Sequence, residues 1–177
     1  CKLRNVSVCY NPKSNAKLGS GIAPIAELRE LGVDLCIATD GAASNDLLDI
    51  FEDMRFGAML QKLRYNDPAR FGEKEVFRMA TEGGAKAMGL DAGRIEAGKL
   101  ADLILIDCAA SIAPVHDPIS ALVYCGKSSG VETVIVNGRV IMEGGVIQTI
   151  SESEQVQNAI ELGERRFAEV AGGPLAS

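Results

Sequence analysis

The sequence predicts an α/β fold, and three observations predict it. Within residues 6–40 an apolar run, a helical pattern and a second apolar run follow one another, the order of a βαβ unit with parallel strands. Two longer helical patterns come next. Beyond about residue 90 the texture changes to short strands divided by Gly-bounded turns, which are antiparallel features. A length of 177 residues suffices for one ordinary domain or for part of a larger one.

The first strand is read over Val6 to Tyr10, short and β-branched, and Asn11-Pro12 ends it. The segment NPKSNAKLGSG is rich in turn formers and reads as a loop. Pro24 opens a short helix carried by Ile25, Leu28 and Leu31, and Gly32 is suited to a left-handed cap. A second strand, Val33 to Ala38, runs into Thr39-Asp40-Gly41. From Asn45 to about Leu63 the spacing of Leu48, Phe51, Met54, Met59 and Leu63 predicts one long amphipathic helix, with Ser44 placed to cap it. Another helix is expected from Glu73 to about Met88, ended by Gly89. The Met and Phe positions of both helices read as core.

In the last part, strands are expected at Leu103 to Ile106, Glu132 to Val136 and Arg139 to Met142, with Asn137-Gly138 as a hairpin turn and Gly144-Gly145 as another. A final helix spans about Glu152 to Val170, and the tail AGGPLAS should fray. The expected organisation is therefore residues 1–90 as a βα region, 91–150 as a small β region and 151–177 as helix and tail.

Composition excludes several classes of function. A hydrophobic content of 47% with 19 glycines argues against disorder. The net charge of −6 leaves no Lys/Arg surplus for phosphates, so a small-molecule ligand is expected and nucleic acid is not. No apolar run is long enough for a membrane span, and a cytoplasmic location is expected. Cys1, Cys9, Cys36, Cys108 and Cys125 form an odd set without CxxC spacing, read as reduced and mostly buried thiols. A first residue of Cys followed by NVSVCY gives the expectation that the sequence starts inside a fold, as a fragment or processed product.

Asp40 stands out among the polar residues. It lies at the carboxyl end of a predicted parallel strand, the edge at which parallel sheets bind ligands and metals. A carboxylate there can ligate a divalent metal and accept a proton from water. The competing reading is a turn or capping aspartate. Gly19-Ser20-Gly21 lacks the spacing of a phosphate-binding loop, and His116, the only histidine, reads as a structural hydrogen-bonding residue. One histidine cannot build a catalytic zinc site of two or three.

The segments NPKSNAKLGSGIAPIAEL, GVDLCIATDGAASNDLLDIFEDMR, ATEGGAKAMGLD and GRIEAGKLADLILID, continued by HDPISALVY and VETVIVNGRVIMEGG, together resemble the amidohydrolase superfamily. The resemblance is to its branch of methylthioadenosine and S-adenosylhomocysteine deaminases and related chlorohydrolases. It implies the last two βα units of a (β/α)8 (TIM) barrel, with Val6 to Tyr10 as the seventh strand and Val33 to Thr39 as the eighth, plus the C-terminal share of a small β-sandwich. It also implies that Asp40 is both metal ligand and catalytic proton acceptor. The cofactor implied is a divalent metal, zinc first among zinc, iron and manganese. Attack of a metal-activated water on a C–N centre of an adenosine-type or other heterocyclic substrate then releases ammonia. Chlorohydrolysis, cyclic-amide hydrolysis and a non-catalytic truncated product are the alternatives. Tyr10 stands where relatives usually carry His, and the family's other histidine ligands have no counterpart in the sequence. Residues 1–177 alone are therefore expected to be inactive, and to form a homo-oligomer or associate with a missing N-terminal segment.

Overall fold

The computed structural model describes residues 6–108 and 112–171; Cys1 and the tail 172–177 lie outside them. Strand β1 (Val8–Tyr10) pairs in parallel with β2 (Leu35–Ile37) in the register Val8↔Leu35, Cys9↔Cys36, Tyr10↔Ile37. The ladder extends at both ends, through Val8 N–H to Asp34 O at 2.8 Å and Ala38 N–H to Tyr10 O at 3.1 Å. Between the strands lie α1 (Pro12–Lys17) and α2 (Ile25–Glu30). Because the strands are parallel, the start of α1 and the Thr39-Asp40 segment leave the sheet at the same edge.

Helix α1 corrects the expectation of a loop. Its asparagine and serine are poor helix formers, but Pro12 at N1 has its φ preset for a helix and lacks the N–H that would go unpaired there. The next N–H, that of Lys13, donates at 3.2 Å to Asp53 Oδ1, 40 residues away. The capping acceptor comes from another helix, so no local pattern announces it.

The long helix expected from Asn45 is divided into α3 (Ala42–Asn45) and α4 (Ile50–Tyr65). Asp46 and Leu48 take positive φ, 68° and 50°, and Asp49 caps α4 by accepting from Phe51 N–H at 2.9 Å. Asn45 turns its side chain inward to bond backbone and Asp53, a competition with helix continuation that short polar side chains often win. Ser44 is not the cap of α4; its hydroxyl shares its one proton between Asp40 Oδ2 at 2.9 Å and Gly41 O at 3.1 Å.

Tyr10 and Ile37 face α4, where Gly57 permits the approach: a Cβ there would lie 3.1 Å from Ile37 Cδ1 and 3.4 Å from Tyr10 Cε1. The core continues through Ile25, Phe51, Met54, Ala58, Phe71, Val76 and Val123. Successive strand residues point to opposite faces, and Cys9, next to Tyr10, is exposed. Cys108 and Cys125 are exposed as well, which corrects the expectation of mostly buried thiols; Cys36 is buried, and these four are free.

The helix expected over 73–88 is continuous but not uniform: α5 (Glu73–Arg78) passes through a π-helical turn (Met79–Gly83) into α6 (Gly84–Met88). Gly89 ends it in the left-handed conformation, φ 69°, as its position predicts. The π turn lies against β2. A Cβ on Gly83 would sit 2.2 Å from Leu35 O, so strand and helix approach as closely as a glycine allows.

The C-terminal strands β3 (Leu103–Ile106), β4 (Val131–Val136), β5 (Arg139–Glu143) and β6 (Val146–Ile147) form one antiparallel sheet in that order. Asn137 and Gly138 turn the β4–β5 hairpin at φ 48° and 75°, as expected for an Asn-Gly pair. Helix α7 (Pro118–Cys125) precedes β4, and α8 (Glu152–Ala171) follows β6. Among the described residues no helix is long and apolar enough to cross a membrane.

Two neighbouring glycines test the contact with β2. Gly83→Ala should destabilise the fold by about 1–3 kcal/mol, because the added carbon meets backbone rather than a yielding side chain. Gly84→Ala, whose Cβ would meet only Met79 O at 3.9 Å, should be neutral or stabilise by about 0.4–1 kcal/mol. Thermal denaturation followed by circular dichroism measures both.

Candidate active site

Asp40 ends the segment that follows β2 and occupies the left-handed region at φ 66°. Its carboxylate is exposed, yet one of its oxygens is tightly held. Ser14 Oγ, on α1 and 1% exposed, donates to Oδ2 at 2.7 Å, and Ser44 Oγ, on α3, donates to the same atom at 2.9 Å. Both hydroxyls therefore engage one oxygen and leave Oδ1 clear of them. The Ser14 bond above all, then the Ser44 bond and the Gly41 backbone N–H, hold the carboxyl below its ordinary pKa of 3.8. Asp40 is a carboxylate at neutral pH.

A buried layer supports this group. Asn45 and Asp53 are each 0% exposed. Asn45 Nδ2 donates to Thr39 O at 2.6 Å and to Asp53 Oδ2 at 2.8 Å, while Asp53 Oδ1 receives the Lys13 N–H. Burial raises the pKa of Asp53, against the lowering effect of the Asn45 and Lys13 bonds. Lys13 also pairs through its ammonium with Glu52, beside Asp53 on α4.

Sequence reasoning singled out Asp40 and passed over Ser14, which lay in a segment read as turn formers, and Asp53, which lay unremarked in the helix expected from Asn45. One signal was present. Asp53, Gly57 and Gln61 are spaced by four on α4, so they share a face, and Met54 and Ala58 place the buried side of the helix next to it. Gln61 is a second buried polar residue of this row; its amide donates to Tyr10 Oη at 3.2 Å and Ala23 O at 2.9 Å. Tyr10 is 2% exposed and packed in the strand–helix core, so its ring is a packing element in this structure.

His116 is exposed in the segment before α7 and does not join Asp40. Glycines 19 and 21 take positive φ in the connection between α1 and α2. Among the described residues no group of three or more His, Cys, Asp or Glu side chains is arranged to hold a metal ion. Asp40 fits a divalent metal as a single carboxylate ligand, one coordination position of the several a catalytic site uses.

A parallel strand pair with an oriented carboxylate at its C-terminal edge, followed by a small antiparallel sheet, defines a chain of the mixed α/β class. The amidohydrolase family model matches residues 2–141, and the chain belongs to that family. It is 41% identical over 170 residues to the 5'-deoxyadenosine deaminase of Methanothermobacter thermautotrophicus, covering 96% of this chain and 39% of that protein. It is 43% identical over 165 residues to the 5-methylthioadenosine/S-adenosylhomocysteine deaminase of Acetivibrio thermocellus, covering 92% and 38%. Among solved structures, an adenosine deaminase from Xanthomonas campestris with bound zinc superposes with a TM-score of 0.90 at 37% identity, over 93% of this chain and 38% of that one. Atrazine chlorohydrolase from Arthrobacter aurescens complexed with zinc gives 0.81 at 30% identity, over 89% and 36%. The chain thus spans about two fifths of the length of the curated relatives it matches.

The depressed pKa of Asp40 carries a sign. A carboxyl whose folded pKa lies below its unfolded value contributes stability that is present above 3.8 and lost as pH falls through the folded pKa. A carbon-detected NMR titration should find the Asp40 midpoint below 3.8, and Ser14→Ala should move it up toward that value.

Proposed function

We propose that these residues belong to a divalent-metal amidohydrolase that deaminates an adenosine-type substrate, and that Asp40 is its metal ligand and proton acceptor. The observation that carries this reading is the carboxylate itself: ionised, exposed, and held through Oδ2 by two hydroxyls at the C-terminal edge of a parallel strand pair. That edge is where closed parallel barrels place their chemistry. On this reading β1 and β2 are the seventh and eighth strands of a (β/α)8 barrel, residues 1–90 complete its last two βα units, and 91–150 form part of a composite β-sandwich. The parallel register and the single antiparallel sheet support the assignment.

A divalent metal, when bound, supplies the Lewis acidity that brings the pKa of water from about 15.7 to about 7. Zinc is the metal favoured, since the adenosine deaminase and the atrazine chlorohydrolase similar to this chain were both crystallised with it. Asp40 accepts the proton released as water attacks the ring carbon, and the bonds on Oδ2 keep the acceptor charged and oriented until then. The remaining metal ligands come from outside residues 1–177 in a protein of the relatives' length. Deamination is preferred to chlorohydrolysis because identity to the deaminases is 41–43%, against 30% to the chlorohydrolase.

The sheet also suggests association. Ile104, Leu105, Val136 and Val140 are all close to half exposed, more apolar surface than a small sheet usually leaves to water. A cleft of about 900 Å³, bordered by Ile50, Met54, Phe77, Leu103 and Ile106, lies between the sheet and the helices. We expect the isolated chain to associate or aggregate in light-scattering measurements, and to release no ammonia.

In the full-length protein carrying these residues, Asp40→Asn should keep the fold and lower kcat by about 100-fold or more, as loss of a general base does. Ammonia release from 5'-deoxyadenosine, methylthioadenosine, S-adenosylhomocysteine and chlorotriazines measures it. Unimpaired turnover would remove Asp40 from the mechanism, and preference for the chlorotriazines would favour the second reading.

A further inference from the structure

We propose that Asp53 is a positioning residue for Asp40, acting through Ser14 and through Asn45; the inference rests on the reading of Asp40 given above. Two routes lead from the Asp53 carboxylate, one to the side chain of Asp40 and one to the carbonyl of Thr39 before it. In the first, Oδ1 holds the Lys13 N–H in the first turn of α1, and the adjoining residue Ser14 donates its hydroxyl to Asp40 Oδ2. In the second, Oδ2 holds the Asn45 amide, whose nitrogen also donates to the carbonyl of Thr39, the residue before Asp40. One route fixes the side chain of Asp40 and the other its backbone.

The chemistry at each node admits few alternatives. Both partners of Asp53 are N–H donors, and an ionised carboxylate is the side chain that offers acceptors on both oxygens. An asparagine of the same shape would turn its NH₂ toward one of those donors and lose that bond. Asn45 faces the reverse requirement, since Thr39 O and Asp53 Oδ2 are both acceptors. Its amide nitrogen meets both, while its Oδ1 is buried and has no hydrogen-bond partner among the described residues. The amide is thus held for its donors, with its acceptor left unused.

Stability alone does not single out a carboxylate at this position. Burying a carboxylate is unfavourable unless its bonds compensate, and apolar residues of similar volume would often serve a core at least as well. What the carboxylate provides is direction. Asp40 needs it, because a non-glycine residue at positive φ persists only where its surroundings hold it. Ser14 at 1% exposure and Asp53 at 0% have no direct access to a substrate in solvent, so both act through Asp40.

The test is made on the full-length protein, with Asp53→Asn, Ser14→Ala and Asp40→Asn prepared singly and Asp53→Asn and Ser14→Ala each combined with Asp40→Asn. The measurements are kcat and KM for methylthioadenosine, zinc affinity by competition with a chelator, and Tm. Asp53→Asn and Ser14→Ala should each lower kcat and zinc affinity by about 10-fold or more, the effect usual for groups that orient a metal ligand. KM should stay within about threefold, since no substrate contact is lost. In the Asp40→Asn background both substitutions should change residual turnover and zinc affinity by less than about twofold, because nothing remains to be positioned.

Equal losses in both backgrounds, tracking Tm, would mean a merely structural role and overturn the proposal. Wild-type kcat and zinc affinity in both single variants would overturn it as well. Where Asp53→Asn does not fold, Ser14→Ala, which removes one bond of one route, carries the test alone. Undiminished turnover in Asp40→Asn would instead locate the failure in the role given to Asp40.

Discussion

The buried carboxylate of Asp53 is the constraint on which the rest of the site depends. It ties the first turn of α1, the end of α3 and the first turn of α4 at one point, through the Lys13 N–H and the Asn45 amide. Without that point, α1 loses the acceptor at its N-terminus and α3 loses one of the two bonds made by the buried Asn45 amide. Ser14 and Ser44, which both bond Asp40, sit on these two short helices. Helices of six and four residues are too short to persist in water unaided, so their geometry is borrowed from α4.

Packing and polarity are interleaved along α4. Ile50, Phe51, Met54 and Ala58 supply apolar contact, and the row Asp53, Gly57 and Gln61 supplies an acceptor, a gap and a donor in successive turns. The gap admits Ile37 and Tyr10, and the Gln61 amide reaches the Tyr10 hydroxyl and the carbonyl of Ala23. A single helix thereby sets the height of both strands and the course of the chain that joins them. The π turn at Met79–Gly83 brings a second helix against the backbone of β2 at Leu35. Strand β2 thus has close neighbours at both Leu35 and Ile37, and Asp40 follows three residues after it.

Much of the fold was legible because its signals are local. The β-branched and apolar runs of β1 and β2, the Asn-Gly hairpin of β4 and β5 and the left-handed glycine after α6 each depend on conformational preferences of the residues themselves. The failures share the opposite property. Helix α1 was hidden because its cap comes from Asp53, and the break before α4 because Asn45 turns into a core made by other segments. The buried state of Tyr10 and the exposure of Cys9, its neighbour in the chain, depend on which face of a two-stranded sheet the helices cover.

By itself the sequence determined that an aspartate follows the second strand, that the two strands would lie parallel and that a small antiparallel sheet would come after them. Those features follow from apolar periodicity and turn chemistry, which act over a few residues. The tertiary structure alone decided which oxygen of Asp40 is engaged, and that Ser14, Asn45 and Asp53 stand behind it. Hydrogen bonds spanning 26 and 40 residues bring those groups together, and their donors and acceptors match only after parallel pairing has brought α1 and the end of β2 to one edge.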